Sequence, residues 1–308
     1  MTHDRLERLR HALPCVLAEG FDRVLVVDNA SNDGTSAWLA EQDDPRLAVL
    51  RLPENVGGAG GFEAGIAHLA ATEDPDWILL QDDDAWPEPG AITRFRTLVP
   101  TLATDTGAVA AAVRQPDGKI ADLNRPGYNP FWSPRRIPRT LLRGTRAGFK
   151  LPDAAYDAGA PVVDIDNASF VGFFVARHGW QRAGLPEGGL FIYGDDVLYS
   201  LRLRRAGMTI AFAPAVRFTH DSATMEDGFI YRPLWKIYYH ARNGVAIARA
   251  AAGPLMFPFA LVWYLVVWLR RGRHYDISER GLYRSLLWRG VRDGILHRRG
   301  RVDNLPGR

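Results

Sequence analysis

At 308 residues, 47% hydrophobic and 24% charged, the chain can bury a large core and has an ordinary globular balance, with no internal repeat or low-complexity block. Its one cysteine, Cys15, excludes an intrachain disulfide and points to a reducing compartment, and no secretory signal opens the sequence. Residues 270–308 hold eleven Arg against four acids, so a net charge of +3 divides into +7 there and −4 on residues 1–269; the acidic body disfavours a nucleic-acid binder, and the basic end suits an anionic surface.

Residues 5–19 read as a helix with Leu6, Leu9, Leu13, Val16 and Leu17 on one stripe, kinked or divided at Pro14. Val24–Val27 is a short buried strand that runs into Asp28-Asn29-Ala30-Ser31-Asn32-Asp33-Gly34-Thr35, a loop of side chains that bond local backbone. A helix over 36–42, a strand over 47–52 and a helix opening at Asn55-Val56-Gly57-Gly58-Ala59-Gly60-Gly61-Phe62 follow. Strands alternating with helices imply a mostly parallel α/β sheet with helices on both faces. The glycine cluster fails as a dinucleotide fingerprint because Glu63 stands at the third glycine position, and an oxidoreductase reading fails with it. Glycines at a helix start let backbone N–H groups approach a phosphate or sugar, or simply allow tight helix–sheet packing.

Trp77-Ile78-Leu79-Leu80 then runs into Gln81-Asp82-Asp83-Asp84. The apolar run is too short for a helix and reads as a buried strand. Ligands of open α/β sheets sit beyond the carboxyl ends of strands, and adjacent carboxylates repel one another unless a divalent cation joins them. The competing reading is a solvated acidic turn. Residues 115–160 read as loops and short strands over the ligand edge, and 164–176 as a β-prone run with Gly172 in the middle. A second apolar run, 189–194, ends in Asp195-Asp196 and leads into a helix stopped at Gly207. These carboxylates suit a helix N-terminus or a general base. A strand over 210–218 ends at Thr219-His220-Asp221-Ser222, where the imidazole could complete a metal site beside carboxylates.

In this order, the motifs resemble those of the inverting glycosyltransferases of family 2, with the GT-A fold, over residues 1 to about 245. Val26 to Ser31 with Asp33-Gly34-Thr35 resembles the nucleotide loop, Asp82-Asp83-Asp84 the DXD metal motif, and Tyr193-Gly194-Asp195-Asp196 with Arg202 the catalytic-base motif. His220 resembles the late metal-associated His, and Tyr239-His240-Ala241-Arg242-Asn243 a distal motif of bacterial members. The glycine-rich stretch 55–62 resembles galactofuranosyltransferases; rhamnosyltransferases usually carry fewer glycines there.

The resemblance implies that Asp84, Asp82 and His220 hold Mn²⁺ or Mg²⁺ against the diphosphate of a UDP-linked donor. It implies donor contacts from Arg5, Asp28, Asn29, Asn55, Gly60, Asp82, Asp83, Gly172 and Arg242. Asp196 would deprotonate a hydroxyl of a glycan or lipid-linked glycan acceptor, and Asp195 would orient Asp196 or bind the acceptor. The expected activity is transfer of galactofuranose, or else rhamnose or another hexose, in cell-envelope polysaccharide synthesis; a non-catalytic nucleotide-sugar-binding or scaffold protein is the reading from another class. Two departures stand out. Leu198 occupies a position that is often acidic in the family, and Thr2-His3-Asp4-Arg5 resembles the turn after the family's first strand. That central strand is therefore expected to be missing between Val24–Val27 and Trp77–Leu80, most simply through a start site placed too late.

Residues 1–245 form the expected catalytic domain and 246–308 a helical appendage. Gly253 to Leu269 is uncharged but short for a membrane span and interrupted by Pro254 and Pro258. Leu282, Tyr283, Leu286, Leu287, Val291 and Ile295 make an apolar stripe against five Arg, suited to the anionic inner face of the plasma membrane. The alternative is a helical pair packed on the catalytic domain or on a second subunit of a homo-oligomer.

Overall fold

The computed structural model describes residues 1–132, 149–221 and 230–306. Its elements run α1 (Leu6–Leu17), β1 (Val24–Asp28), α2 (Thr35–Ala40), β2 (Leu47–Arg51), α3 (Gly57–Thr72), β3 (Trp77–Leu80), β4 (Ala85–Pro87), α4 (Ala91–Leu98) and β5 (Thr106–Arg114). After them come β6 (Val163–Ile165), β7 (Phe173–Ala176), α5 (Arg177–Ala183), α6 (Asp195–Arg205), β8 (Thr209–His220), α7 (Lys236–Arg271) and α8 (Arg280–Ile295). The expected alternation is present through β3. Pro14 is accommodated inside α1, whose first turn is anchored by the Leu6 N–H donating to the Asp33 carboxylate at 2.8 Å.

The main sheet has the order β3-β7-β5-β8-β4, with β6 paired to β8. β3, β5 and β8 share one direction, while β7 is antiparallel to both β3 and β5. The pairings are thus more mixed than strict strand–helix alternation implies. The run 164–176 divides into two separate strands, and β7 is inserted against the direction of its neighbours. β5 is buried almost throughout, and its Ala108, Ala110, Ala111 and Ala112 leave room for large side chains on both faces. Phe62 and Ile66 of α3, Trp180 of α5 and Tyr199 and Leu203 of α6 cover one face; Ala91, Ile92 and Phe95 of α4 cover the other.

β1 and β2 form a separate parallel pair. Among the described residues β1 does not pair with β3. Residues 1–2 lie between them instead: Thr2 N–H donates to the Val27 carbonyl at 3.0 Å, Asn29 N–H to the Thr2 carbonyl at 2.9 Å, and the Met1 amino group to the Gln81 carbonyl at 3.3 Å.

The run 189–194 is a tight loop: a 3-10 turn at Gly188–Leu190, then positive φ at Phe191 (66°), Tyr193 (68°) and Gly194 (85°). Residue 245 falls inside α7, whose two halves break at Gly253 (φ 69°) and fold back so that Trp268 packs on Gly244 and His240. The α8 stripe does not face outwards, since Tyr283, Leu286, Leu287 and Val291 are buried against Tyr238, Tyr239, Ala241 and Val245 of α7. The cause is a close helix approach. A Cβ on Gly290 would lie 2.4 Å from the Tyr238 carbonyl oxygen, and one on Gly294 2.5 Å from that of Arg242.

Candidate active site

Strand register builds the first half of the site. β3 delivers Gln81 to Asp84, and β4 pairs antiparallel with β8 so that Ala85 stands opposite His220. The residues before and at that pair therefore meet: His220 Nε2 lies 3.1 Å from Asp84 Oδ1, and Asp221 N–H donates to the Asp84 carbonyl at 2.9 Å. Asp82, Asp84 and His220 each present a ligand atom, and all three atoms lie within 4.8 Å of one another. Two carboxylates and an imidazole at that separation fit a divalent cation that accepts oxygen and nitrogen ligands. The other imidazole nitrogen, Nδ1, lies 2.7 Å from Asn124 Oδ1, which accepts only if Nδ1 carries a proton, so the tautomer that leaves Nε2 free to ligate a cation is the one Asn124 selects.

Charge in this cluster is tightly held. Burial pushes the Asp82 carboxyl up, and Asp84 beside it pushes it further. Asp84 goes the other way: burial would raise it, but His220 and Arg5 hold it below the ordinary carboxylate range. Arg5 NH1 bridges Asp83 Oδ1 at 3.1 Å and Asp84 Oδ2 at 2.9 Å. It is thus a counter-charge to the acidic triplet.

The second half comes from the 188–196 loop and the first turn of α6, where Asp195 and Asp196 sit at the positive end of the helix dipole. Burial raises both carboxyls, and Asp196 raises Asp195 further; Asp82 also adds to each. Val197 N–H donates to Asp196 Oδ1 at 2.7 Å. Both clusters line one cavity of about 1880 Å³, together with Arg5, Gly58, Ala59, Tyr193, Lys236 and His240. The burial and unusual φ values of this loop are held from outside. Asn243 Nδ2 reaches the Leu190, Ile192 and Tyr193 carbonyls at 2.8–3.0 Å, and Ala59 N–H donates to the Phe191 carbonyl at 3.1 Å. Gly57 (φ 76°) makes that last contact feasible, because a Cβ there would lie 2.1 Å from the Phe191 oxygen.

Several residues expected at the donor do not line this cavity and have partners within the fold. Arg242 is fully buried; its guanidinium donates to the Leu190 and Gly300 carbonyls, both at 2.7 Å, and lies over the Tyr239 ring. It ties the loop below the site to the stretch after α8 through these two carbonyls. Asn29 accepts from Val56 N–H and donates to the Gly57 carbonyl and Asn55 Oδ1, so the two Asn side chains lock the turn before α3. Asp28 accepts from Ser31 N–H and from Ser36 Oγ; burial alone would raise its carboxyl, but these bonds carry it below the ordinary range. Gly60 and Gly172 are packing positions: a Cβ on the first would meet Val56 at 2.6 Å and on the second Ala111 at 2.9 Å. Ser222 lies outside the described residues. Asn124, Lys236 and Asn243 were not singled out as site residues by sequence reasoning. Asn124 stands in an irregular stretch without periodicity, and only the distal-motif resemblance touched Asn243.

Replacing Arg242 by Ala should take the guanidinium donor from the half-buried Gly300 carbonyl and one of two side-chain donors from the Leu190 carbonyl, which Asn243 still serves, at about 1–3 kcal/mol in all. A lower melting temperature together with lower turnover is expected; calorimetry showing an unchanged melting temperature would show that the anchor lies elsewhere.

The chain is similar to several known glycosyltransferases. Galactofuranosyltransferase GlfT1 of Mycolicibacterium smegmatis is 27% identical over 98% of this chain and 95% of its own length. An N-acetylglucosaminyl-diphospho-decaprenol L-rhamnosyltransferase of Mycobacterium tuberculosis is 26% identical over 65% of this chain and 66% of its own. The mannosyltransferase PcManGT of Pyrobaculum calidifontis, solved in complex with GDP-Man and Mn²⁺, superimposes with a TM-score of 0.53 at 16% identity, covering 96% of this chain and 84% of that one. That likeness shows the fold, a GT-A-type α/β sheet with a C-terminal helical region. The sequence profile of glycosyl transferase family 2 matches residues 1–154, half of the chain, and the protein belongs to that family of glycosyltransferases.

Proposed function

We propose that the protein is an inverting transferase that moves galactofuranose from UDP-galactofuranose to a glycan or lipid-linked glycan acceptor in cell-envelope polysaccharide synthesis. The observation that carries this is the meeting of two carboxylate groups in one cavity, Asp82 and Asp84 with His220 on one side, Asp195 and Asp196 on the other. The donor rests on the near full-length match to a galactofuranosyltransferase and on the glycine-rich start of α3, of which Gly58 and Ala59 reach the cavity.

Asp82, Asp84 and His220 would hold Mn²⁺ or Mg²⁺, which supplies positive charge to the departing diphosphate. Arg5 and Lys236 add fixed cations on the same wall. Asp196 accepts the proton of an acceptor hydroxyl while that oxygen attacks the anomeric carbon from the face opposite UDP, so one displacement inverts the configuration. Asp195, whose carboxyl is raised further, keeps its proton near neutrality and donates a hydrogen bond within the pair or to the acceptor. In this reading residues 1–245 carry the chemistry, and the remainder holds the enzyme peripherally on the cytoplasmic face of an anionic plasma membrane.

The test is a donor screen with purified full-length protein, Mn²⁺ and a lipid-linked acceptor. UDP-galactofuranose should be turned over fastest, with the opposite anomeric configuration in the product. Preference for a rhamnosyl nucleotide would favour the second reading, which the rhamnosyltransferase match supports. Asn124→Leu should weaken Mn²⁺ binding about 10–100-fold, the usual scale for losing the partner of a metal-ligating His. Titration calorimetry with Mn²⁺ and UDP reads this directly, and unchanged affinity would remove Asn124 from the site.

A further inference from the structure

The helix that walls the cavity also carries the most exposed apolar surface described. In the second half of α7, Leu255, Phe259 and Val262 are 86%, 70% and 60% exposed, and Val266 and Leu269 follow at about 40%. Steps of four, three, four and three residues place all five on one face. The exposed Arg270 and Arg273 stand at its end. Such a stripe with a basic border fits the boundary between acyl chains and anionic headgroups.

The other side of the same helix faces inward. Trp263, Tyr264, Val267, Trp268 and Arg271 line the cavity that contains Asp82 and Asp196. Ala260 and Trp268 are buried in the fold. α7 is long and apolar enough in composition to cross a membrane. The break at Gly253 and the protein packed along one side favour a helix lying in the interface over one spanning it.

We propose that the second half of α7 lies in the surface of an anionic bilayer, and that a polyprenyl-phosphate-linked acceptor enters the cavity directly from that bilayer past Trp263, Tyr264 and Arg271. This rests on the transferase reading and assigns the acceptor side of its site. Trp263 and Val267 offer apolar contact to the lipid chain, and Arg271 offers its charge to the phosphate at the height of the neighbouring headgroups. The acceptor sugar then reaches Asp196 without the lipid leaving the membrane plane. A bilayer suits the surface because the apolar stripe ends in the exposed Arg270 and Arg273, charges that anionic headgroups neutralise beside the acyl chains.

The test uses full-length protein and vesicles of phosphatidylglycerol and phosphatidylcholine, with and without undecaprenyl phosphate. Phe259→Glu combined with Val262→Glu should weaken vesicle partition by at least ~10-fold, because it replaces the apolar face with charge. Mn²⁺-dependent UDP binding should stay at the wild-type level, which also reports that the variant is folded. Undecaprenyl phosphate should strengthen wild-type partition, and Trp263→Ala should lose that gain while keeping its affinity for plain vesicles. Wild-type partition by the double variant overturns the proposal. So does a gain that is absent from wild type or survives in Trp263→Ala, and so does a dimer in solution that the double variant breaks without any vesicle binding. Absence of UDP binding in every protein would defeat the transferase reading alone, since the vesicle measurements still decide the surface.

Discussion

Asp84→Ala is expected to abolish Mn²⁺-dependent UDP binding and to reduce transfer by at least ~10³-fold, the scale of losing a metal's charge at the leaving group. Asp84 connects more of the site than any neighbour: one oxygen faces His220 Nε2 at 3.1 Å, and the other accepts from Arg5 at 2.9 Å. Its loss therefore removes one ligand and leaves a second, His220, with only one of its two contacts, that to Asn124. Breaking a buried pair costs about 3–5 kcal/mol when the surviving charge is stranded. Here the strand-end carboxylates lessen that cost, because Arg5 keeps Asp83 at 3.1 Å and its side chain is 41% exposed. The fold should survive while the function fails. Circular dichroism and UDP titration with and without Mn²⁺ separate the two, and wild-type-like Mn²⁺-dependent binding would defeat the metal assignment.

Asp196→Asn is expected to keep donor affinity and to lower turnover at least ~10²-fold, as for loss of a general base. The amide still fits beside the Val197 N–H but cannot take a proton. The pH dependence follows from the raised carboxyl. Burial lifts Asp196 to about 6, against the hydrogen bond from Val197, with Asp82 adding to the rise. A base must be ionised, so wild-type turnover should fall as pH drops through about 6 rather than in the ordinary carboxylate range. The sign for stability is opposite. A carboxyl whose pKa is raised by folding destabilises the folded state progressively as pH rises from the ordinary carboxylate range through about 6, and fully above it, so the neutral variant should melt no lower than wild type at pH 7. Turnover near the wild-type level, or a variant that loses UDP affinity, would place the base elsewhere.

The carboxylate clusters could be read from the sequence because their signal is local. A short apolar run ending in Asp82-Asp83-Asp84 reports a strand and its ligand end at once, and β8 reports His220 the same way. The approach of Asp84 to His220 depends on the β4–β8 register, which neither segment encodes alone. The shape of the 189–194 loop is not legible locally, because its apolar content reflects burial against α7 and its turn geometry depends on Asn243, some fifty residues away. Arg242 misleads for a different reason. A guanidinium in a motif suggests phosphate, and only packing shows that its partners are main-chain carbonyls. In α8 the periodicity was legible and its target was not: an apolar stripe looks the same whether it meets lipid or another helix.

The stretch after α8 has a consequence for any attempt to exchange parts between relatives. Gly300 N–H donates to the Gly189 carbonyl at 2.6 Å, Arg299 pairs with Glu187, Val302 N–H donates to the Tyr239 hydroxyl at 2.7 Å, and Arg301 reaches the Asn55 carbonyl at 3.2 Å. The C-terminal stretch thus completes the scaffold beneath the loop that presents Asp195 and Asp196. A chimera carrying a foreign C-terminal region on this catalytic core would mismatch that scaffold unless residues 187–194 were transplanted with it. Acceptor preference therefore cannot be swapped as a detachable module. The helices that would meet the acceptor and the loop that would activate it form one folding unit, and substitutions in either are expected to require compensation in the other.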